Sequence, residues 1–372
     1  MSMTIGVPKE IKDQEFRVAL TPQAVRGLVA HGYRVVVQRG AGEGSGFSSQ
    51  QYEQAGAIIL ADANSTYSEA QLIIKVKEPQ PEELGLLRKD HVLFAYLHLA
   101  ASQSLTEALM ASGCTAIAYE TTEDAQGQFP LLRPMSEIAG RMSVQLGAHF
   151  LEKHQGGSGV LLSGVPGVPP GKVVIVGSGV VGSAATKIAV GMGAEVTVLS
   201  LDLGQLREMD LWYKGRVRTV LSSSAQLEVY LSEADLVIGA VYLPAARTPR
   251  VISREMVKGM KSGSVIVDVS VDQGGCAETT RPTTHTHPTY IVDEVLHYAV
   301  PNIPGIVPHT STLALTNATL PFIVQLLENG VEQALRRHEG LKKGVNIMHG
   351  RLVSAVVGQV HGLPWEAFTA LS

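Results

Sequence analysis

The sequence has little sulfur and little charge. Only two of its 372 residues are cysteine, Cys114 and Cys276. They lie far apart without a partner at metal-ligand spacing, so a disulfide framework is excluded and a reducing compartment is expected. Charged residues make up 17% of the chain, 30 basic against 34 acidic, for a formal charge of −4. No long block of either sign occurs, which argues against nucleic acid or a membrane surface as a partner. The opening MSMTIGVPKEIKDQEFR is charged from Lys9 onward and has no signal-peptide core. The most apolar long region, Val160 to Ala194, is interrupted by VPGVPP, by glycines and by Lys172 and Lys187, so it is no transmembrane span. A soluble, cytoplasmic protein is expected. GxSxG, HExxH, a Walker loop and internal repeats are all missing. The HTH of RPTTHTHPTY lacks a third spaced ligand and reads as a polar loop, so no metal site is expected.

What the chain does have is length and apolar content. Hydrophobic residues make up 45%, and at about 150 residues per domain the length suggests two domains. Short apolar runs alternate with helical patterns, which implies an α/β architecture with mainly parallel strands. MTIGVP, YRVVVQ, AIIL, LIIKVK, VLFAYL and TAIAYE read as strands in the first third. Between them lies a helix over 21–31, with Thr21 as cap and Pro22 in the first turn. A second series, KVVIVG, AEVTVLS, RVRTVL, ADLVIGAV and SVIVDVS, follows the loop GGSGVLLSGVPGVPPGK. Helices over about 136–153 and 310–326 connect the two series, and the tail 331–372 reads as helical. The expected organisation is a Rossmann-type doubly wound domain, residues 135–305, inserted into a second α/β domain built from both chain ends, 1–130 and 309–372. The cleft between domains is then the default active site.

The strongest local signal is VIVGSGVVGSAATKIAVGMGAEVTVLSLD. Gly177, Gly179 and Gly182 follow a strand and open a helix, as in the GxGxxG turn that holds a dinucleotide pyrophosphate at a helix N-terminus. An acid about 20 residues on usually binds the adenosine ribose hydroxyls. Ser200 stands there instead, Asp202 lies two residues on, and the nearest arginine is Arg207. These residues leave NAD against NADP open.

Other polar residues fall where strands end. Arg17 in DQEFRVAL is either a carboxylate fork or half of a surface salt bridge. Lys75 and Lys77 in LIIKVKEP share one face if the strand continues, facing either a cleft or solvent. His98 in FAYLHLAAS is a proton relay or a hydrogen-bonded core histidine. Asp268 and Asp272 in VIVDVSVDQGGC close a strand of the second series, where ligands of such sheets bind, and Asp272 is the better catalytic candidate.

Taken together, IGVPKEIKDQEFRVALTP, IIKVKEPQPEE, YLHLAAS, AYETTE, RPMSEIAGRMSVQ, SGVPGV, VDVSVDQGG with TTRPTTH, and TSTLALTNATLPF resemble the alanine dehydrogenase family. The resemblance spans nearly the whole chain in the same order. It implies reversible oxidative deamination of L-alanine to pyruvate and ammonia with hydride transfer to NAD. By that likeness His98 and Asp272 shuttle protons, Arg17 and Lys77 hold the substrate carboxylate and carbonyl oxygen, and Tyr96 and Met135 line the pocket. The cofactor would lie along Ser136, Gly177, Gly179, Val180, Gly182, Ser200, Ser222, Val241, Arg281 and Asn302, and a homohexamer is implied. Ser200 departs from the family's acid, which implies NAD with relaxed discrimination against NADP. The alternatives are a dinucleotide-binding subunit of a proton-translocating transhydrogenase, which shares the N-terminal pattern and fold, and a non-catalytic relative.

Overall fold

The computed structural model describes residues 3–242 and 248–368. Its chain divides into two compact units, Met1–Met135 with Gly305–Ser372, and Ser136–Pro304. Strands are numbered along the chain. β1 (Ile5–Val7), β2 (Val35–Gln38), β3 (Ile58–Leu60), β4 (Leu72–Ile74), β5 (Val92–Ala95) and β6 (Thr115–Ala118) come first. Next come β7 (Lys172–Val176), β8 (Glu195–Ser200), β9 (Val217–Leu221), β10 (Leu236–Gly239), β11 (Val265–Asp268), β12 (Thr289–Val292) and β13 (Val295–Tyr298). β14 (Val345–Met348) and β15 (Arg351–Leu352) close the series.

In the first unit the order is β15-β14-β6-β5-β4-β1-β2-β3. β1 to β6 pair in parallel, and β14 adds antiparallel to β6. The tail is therefore not wholly helical, as its pattern suggested. VNIM is a short apolar run without helical period, and its residues are buried between β15 and β6. The 21–31 segment does form a helix, Pro22–Ala30, with the Thr21 hydroxyl accepting from the Ala24 amide at 3.2 Å. The Pro308–Asn329 helix is long and apolar enough to cross a membrane. Here it packs within its own unit: the Thr312 hydroxyl accepts from the Val18 amide at 3.1 Å, and the Thr316 hydroxyl donates to the Ala19 carbonyl at 3.3 Å.

In the second unit the order is β12-β13-β11-β10-β7-β8-β9. Apart from the antiparallel edge strand β12, this is the order of a doubly wound dinucleotide fold, with the reversal between β7 and β10. Parallel strands covered on both faces read as continuous apolar runs. Val173, Val174, Ile175 and Val176 of β7 are all buried, and so are all four residues of β10 and of β11. Parallel pairing places the carboxyl ends of β7 to β11 and β13 on one edge of the sheet, which is where the glycine turn lies.

Candidate functional site

In the first unit the loop between β1 and the Pro22–Ala30 helix carries Arg17, which is 2% exposed. It is not a surface salt bridge. Its Nε donates to Glu15 Oε1 at 2.7 Å and its Nη2 to Glu15 Oε2 at 2.6 Å. One edge of the fork is thus committed to Glu15, and the plane of the guanidinium is fixed. Nη1 lies 3.1 Å from Met135 Sδ. Burial pushes the Glu15 carboxyl up, but the Arg17 charge and its hydrogen bonds overcome this and hold it down at about 2.

The two lysines of LIIKVKEP go separate ways because β4 ends at Ile74, so strand alternation does not reach them. Lys75 is fully buried and bonds Glu10 Oε2 at 3.1 Å and Glu83 Oε1 at 2.8 Å. Glu10 also accepts the Val76 amide at 2.6 Å, tying the N-terminal segment to the stretch that bears Lys77. Lys77 is half-buried. Burial, together with the like charges of Arg17 and Lys12, lowers its pKa. A carboxylate arriving beside it would supply the opposite charge that offsets both effects.

Tyr96 is buried, and its hydroxyl donates to the Leu131 carbonyl at 2.5 Å. Its ring stacks on His98 with centroids 6.0 Å apart and planes 10° from parallel. His98 itself is exposed and takes a left-handed backbone, φ 49°, ψ 38°. That conformation is uncommon for a non-glycine residue and recurs at functional sites. Glu120 holds it there, accepting the His98 amide at 2.6 Å and the Leu97 amide at 3.1 Å. The core-histidine reading of His98 does not hold. Arg17, Lys77, Tyr96, Met135 and His98 therefore belong to one unit, with Arg17 touching Met135 and His98 stacked on Tyr96.

The second unit gathers most of the dinucleotide candidates at the carboxyl ends of its parallel strands. The glycine turn follows β7, Ser200 ends β8, and Ser222 follows β9, its amide donating to the Ser200 carbonyl at 2.9 Å. Val241 follows β10, Asp272 follows β11, and Asn302 follows β13. Gly177 has φ +110°, and a Cβ there would lie 2.4 Å from the Ala240 carbonyl oxygen. A Cβ on Gly182 would lie 2.0 Å from the Gly177 carbonyl oxygen, so only glycine allows helix and turn to approach this closely. Gly179, by contrast, faces open space and caps the Val180–Gly191 helix without a side-chain bond. Backbone amides at a helix start, with no side chain over them, are the setting a pyrophosphate requires, so these residues fit a dinucleotide. Ser136 lies on the Arg133–Phe150 helix. Arg281 follows Thr280, whose hydroxyl bonds Asp268 at the end of β11, and it is exposed, 4.3 Å over the Tyr290 ring.

Asp272 is exposed on the short 3-10 turn Val269–Gln273. Asp268 is 1% exposed and organises that segment from both sides. It accepts the amides of Ser270 at 3.0 Å, Cys276 at 2.8 Å and Ala277 at 3.3 Å, and the Thr280 hydroxyl at 2.6 Å. Asp268 therefore positions the loop, while Asp272 is presented on it. Among the described residues no group of three or more His, Cys, Asp or Glu could hold a metal ion.

Sequence reasoning missed Glu15, Glu120 and the bracing role of Asp268. Glu15 stands two residues before Arg17, a spacing that would have suggested a partner. The partner of Glu120 is 22 residues away and left no local signal.

Comparison with known proteins adds two family models. Alanine dehydrogenase/PNT, N-terminal domain, matches residues 6–139, and alanine dehydrogenase/PNT, C-terminal domain, matches residues 143–355. An alanine dehydrogenase of Halomonas elongata is 53% identical over 99% of this chain and 100% of its own length. A solved L-alanine dehydrogenase superposes with a TM-score of 0.94 at 53% identity, covering 97% of this chain and 99% of that one. A transhydrogenase from Sinorhizobium meliloti superposes with a TM-score of 0.82 at 25% identity, covering 95% of this chain and 99% of that one.

Proposed function

Since the chain belongs to the alanine dehydrogenase/PNT family, we propose that it catalyses the reversible oxidative deamination of L-alanine to pyruvate and ammonia with NAD. The observation that carries this is the buried cluster in Met1–Met135 with Gly305–Ser372. There Glu15 neutralises Arg17, Lys77 adds a cation whose pKa is lowered, and Met135 and Tyr96 supply compact walls. Such a site suits one small carboxylate with a short apolar side chain. Likeness to the alanine dehydrogenases at 53% identity, against 25% for the transhydrogenase, supports the same reading.

In this reading Arg17 and Lys77 hold the substrate carboxylate and the developing carbonyl oxygen, with Glu15 keeping the guanidinium in one plane. Charges buried with fixed partners need little reorganisation during reaction. The amine must lose its proton before Cα gives up hydride. Water must then lose a proton as it adds to the imine carbon, and nitrogen must gain one to leave as ammonia. His98 and Asp272 are the groups assigned to these transfers, each worth about 10²–10⁴-fold. Accepting and returning the hydride is the chemistry that NAD supplies when bound. The second unit's part is to hold it by the Gly177–Gly182 turn, with Ser136, Val180, Ser200, Ser222, Val241, Arg281 and Asn302 along its length. Ser136–Pro304 is accordingly the dinucleotide-binding domain and the other unit the substrate domain. On the family likeness the protein is also assigned to the cytoplasm and to a homohexamer, and light scattering of the purified protein reads the oligomer.

The test follows oxidation of NADH by pyruvate and ammonium. Turnover is expected, with kcat falling by about 10²–10⁴-fold in His98→Ala and Asp272→Asn while NADH titration is unchanged. No turnover in either direction would reject the dehydrogenase. Hydride transfer only to a second dinucleotide would favour the transhydrogenase reading instead.

A further inference from the structure

The end of β8 answers a question the residue types leave open. In a doubly wound dinucleotide fold the acid at this strand end binds the adenosine ribose and its charge repels a 2′-phosphate. Here the strand closes on Ser200, which is buried. Its Oγ lies 2.6 Å from Ser178 Oγ and accepts the Asp202 amide at 3.1 Å. Ser178 in turn donates to Gln205 Oε1 at 2.6 Å. The strand end is therefore a neutral chain of hydrogen bonds with no charge to offer or oppose.

The first carboxylate beyond it belongs to Asp202. It is not a continuation of the strand but the cap of the Leu203–Tyr213 helix, its Oδ1 accepting the Gln205 amide at 3.0 Å. The residue is exposed. The cap bond fixes the carboxylate two residues past the usual acid, bonded through its amide to the residue that replaces that acid. It also answers the positive end of the helix dipole before any phosphate arrives. Arg207, the nearest arginine along this segment, lies on the same helix with Glu208 beside it.

We infer that Asp202 supplies the discrimination that Ser200 cannot: its carboxylate repels the 2′-phosphate, so the protein selects NAD(H) over NADP(H). The relaxed discrimination implied by Ser200 alone is then not realised. This rests on the dinucleotide reading of the second unit.

Equilibrium titration with NADH and with NADPH, read by nicotinamide fluorescence, tests it on the intact protein. The wild-type protein is expected to bind NADPH at least about tenfold more weakly than NADH, as one like charge near a solvated phosphate requires. Asp202→Asn keeps the cap acceptor and removes the charge. It should close most of that gap by tightening NADPH, with NADH little altered. Added salt should narrow the gap in the wild-type protein more than in the variant. Equal affinities in the wild-type protein, or a gap that survives Asp202→Asn, would overturn the inference while leaving the dinucleotide reading intact. Failure to bind NADH at all would remove both.

Discussion

The buried cluster of the first unit and the glycine turn of the second handle charge in opposite ways. In Met1–Met135 with Gly305–Ser372, ionised groups are buried and tied to each other: Arg17 to Glu15, and Lys75 to Glu10 and Glu83. At the glycine turn of Ser136–Pro304, the polar contacts next to Gly177–Gly182 are backbone, Ser178, Ser200 and Gln205, all neutral. On the proposed function the difference follows from what each would hold. A substrate of a few atoms offers few contacts, so its carboxylate must be met by preset charge out of water, where charge acts most strongly. A dinucleotide is long and is gripped by many backbone contacts, so close approach matters more than charge.

The contrast breaks hardest at Arg17. Arg17→Met removes the guanidinium that bonds the buried Glu15 carboxylate, which should destabilise the protein by about 3–5 kcal/mol and abolish turnover. Urea unfolding and initial rates read both effects. The double variant with Glu15→Gln should regain much of the stability and none of the activity, and neither variant should shift NADH titration.

Acid probes the same pair without mutation. The folded pKa of Glu15, about 2, lies below its ordinary 4.5, so the unfolded chain binds more protons between these values. The stabilisation is fully present above 4.5 and is lost as pH falls toward 2, an amount of about 3 kcal/mol. Unfolding free energies measured across that interval should fall less steeply in the double variant.

Gly182→Ala tests the other side. The added methyl meets the Gly177 carbonyl oxygen, and such overpacking costs about 1–3 kcal/mol. NADH affinity should drop by at least about tenfold, while the buried ion pairs of the other unit persist. The smallest effect concerns Lys77. Its lowered pKa means that it loses its proton at a lower pH than an ordinary lysine. KM for pyruvate should therefore rise on the alkaline side, and Lys77→Arg, which stays charged, should flatten that rise.

How much of this was legible differs between the units for a physical reason. The glycine turn is local: three glycines, a strand before and a helix after carry the whole argument in a short stretch. The alternation of apolar runs likewise gave the α/β class, because parallel strands covered on both faces are apolar throughout. The buried pairs are not local. Lys75 finds Glu10 65 residues away, and a lysine after an apolar run looks the same whether it faces solvent or a carboxylate. The tail's strand was hidden because VNIM joins the sheet by pairing with β6, more than two hundred residues earlier. Asp202 was legible as a residue but not as a helix cap, since that depends on where β8 stops.

The central claim is that preset charge in one unit acts on L-alanine while the other holds NAD. It is tested most directly by following NAD reduction by L-alanine in the wild-type protein and in Arg17→Met, with NADH binding measured on the same samples. Turnover in the wild-type protein, none in the variant and equal NADH affinity in both is the predicted result. A variant that still turns over, or a wild-type protein that binds NADH and leaves L-alanine untouched, would contradict it.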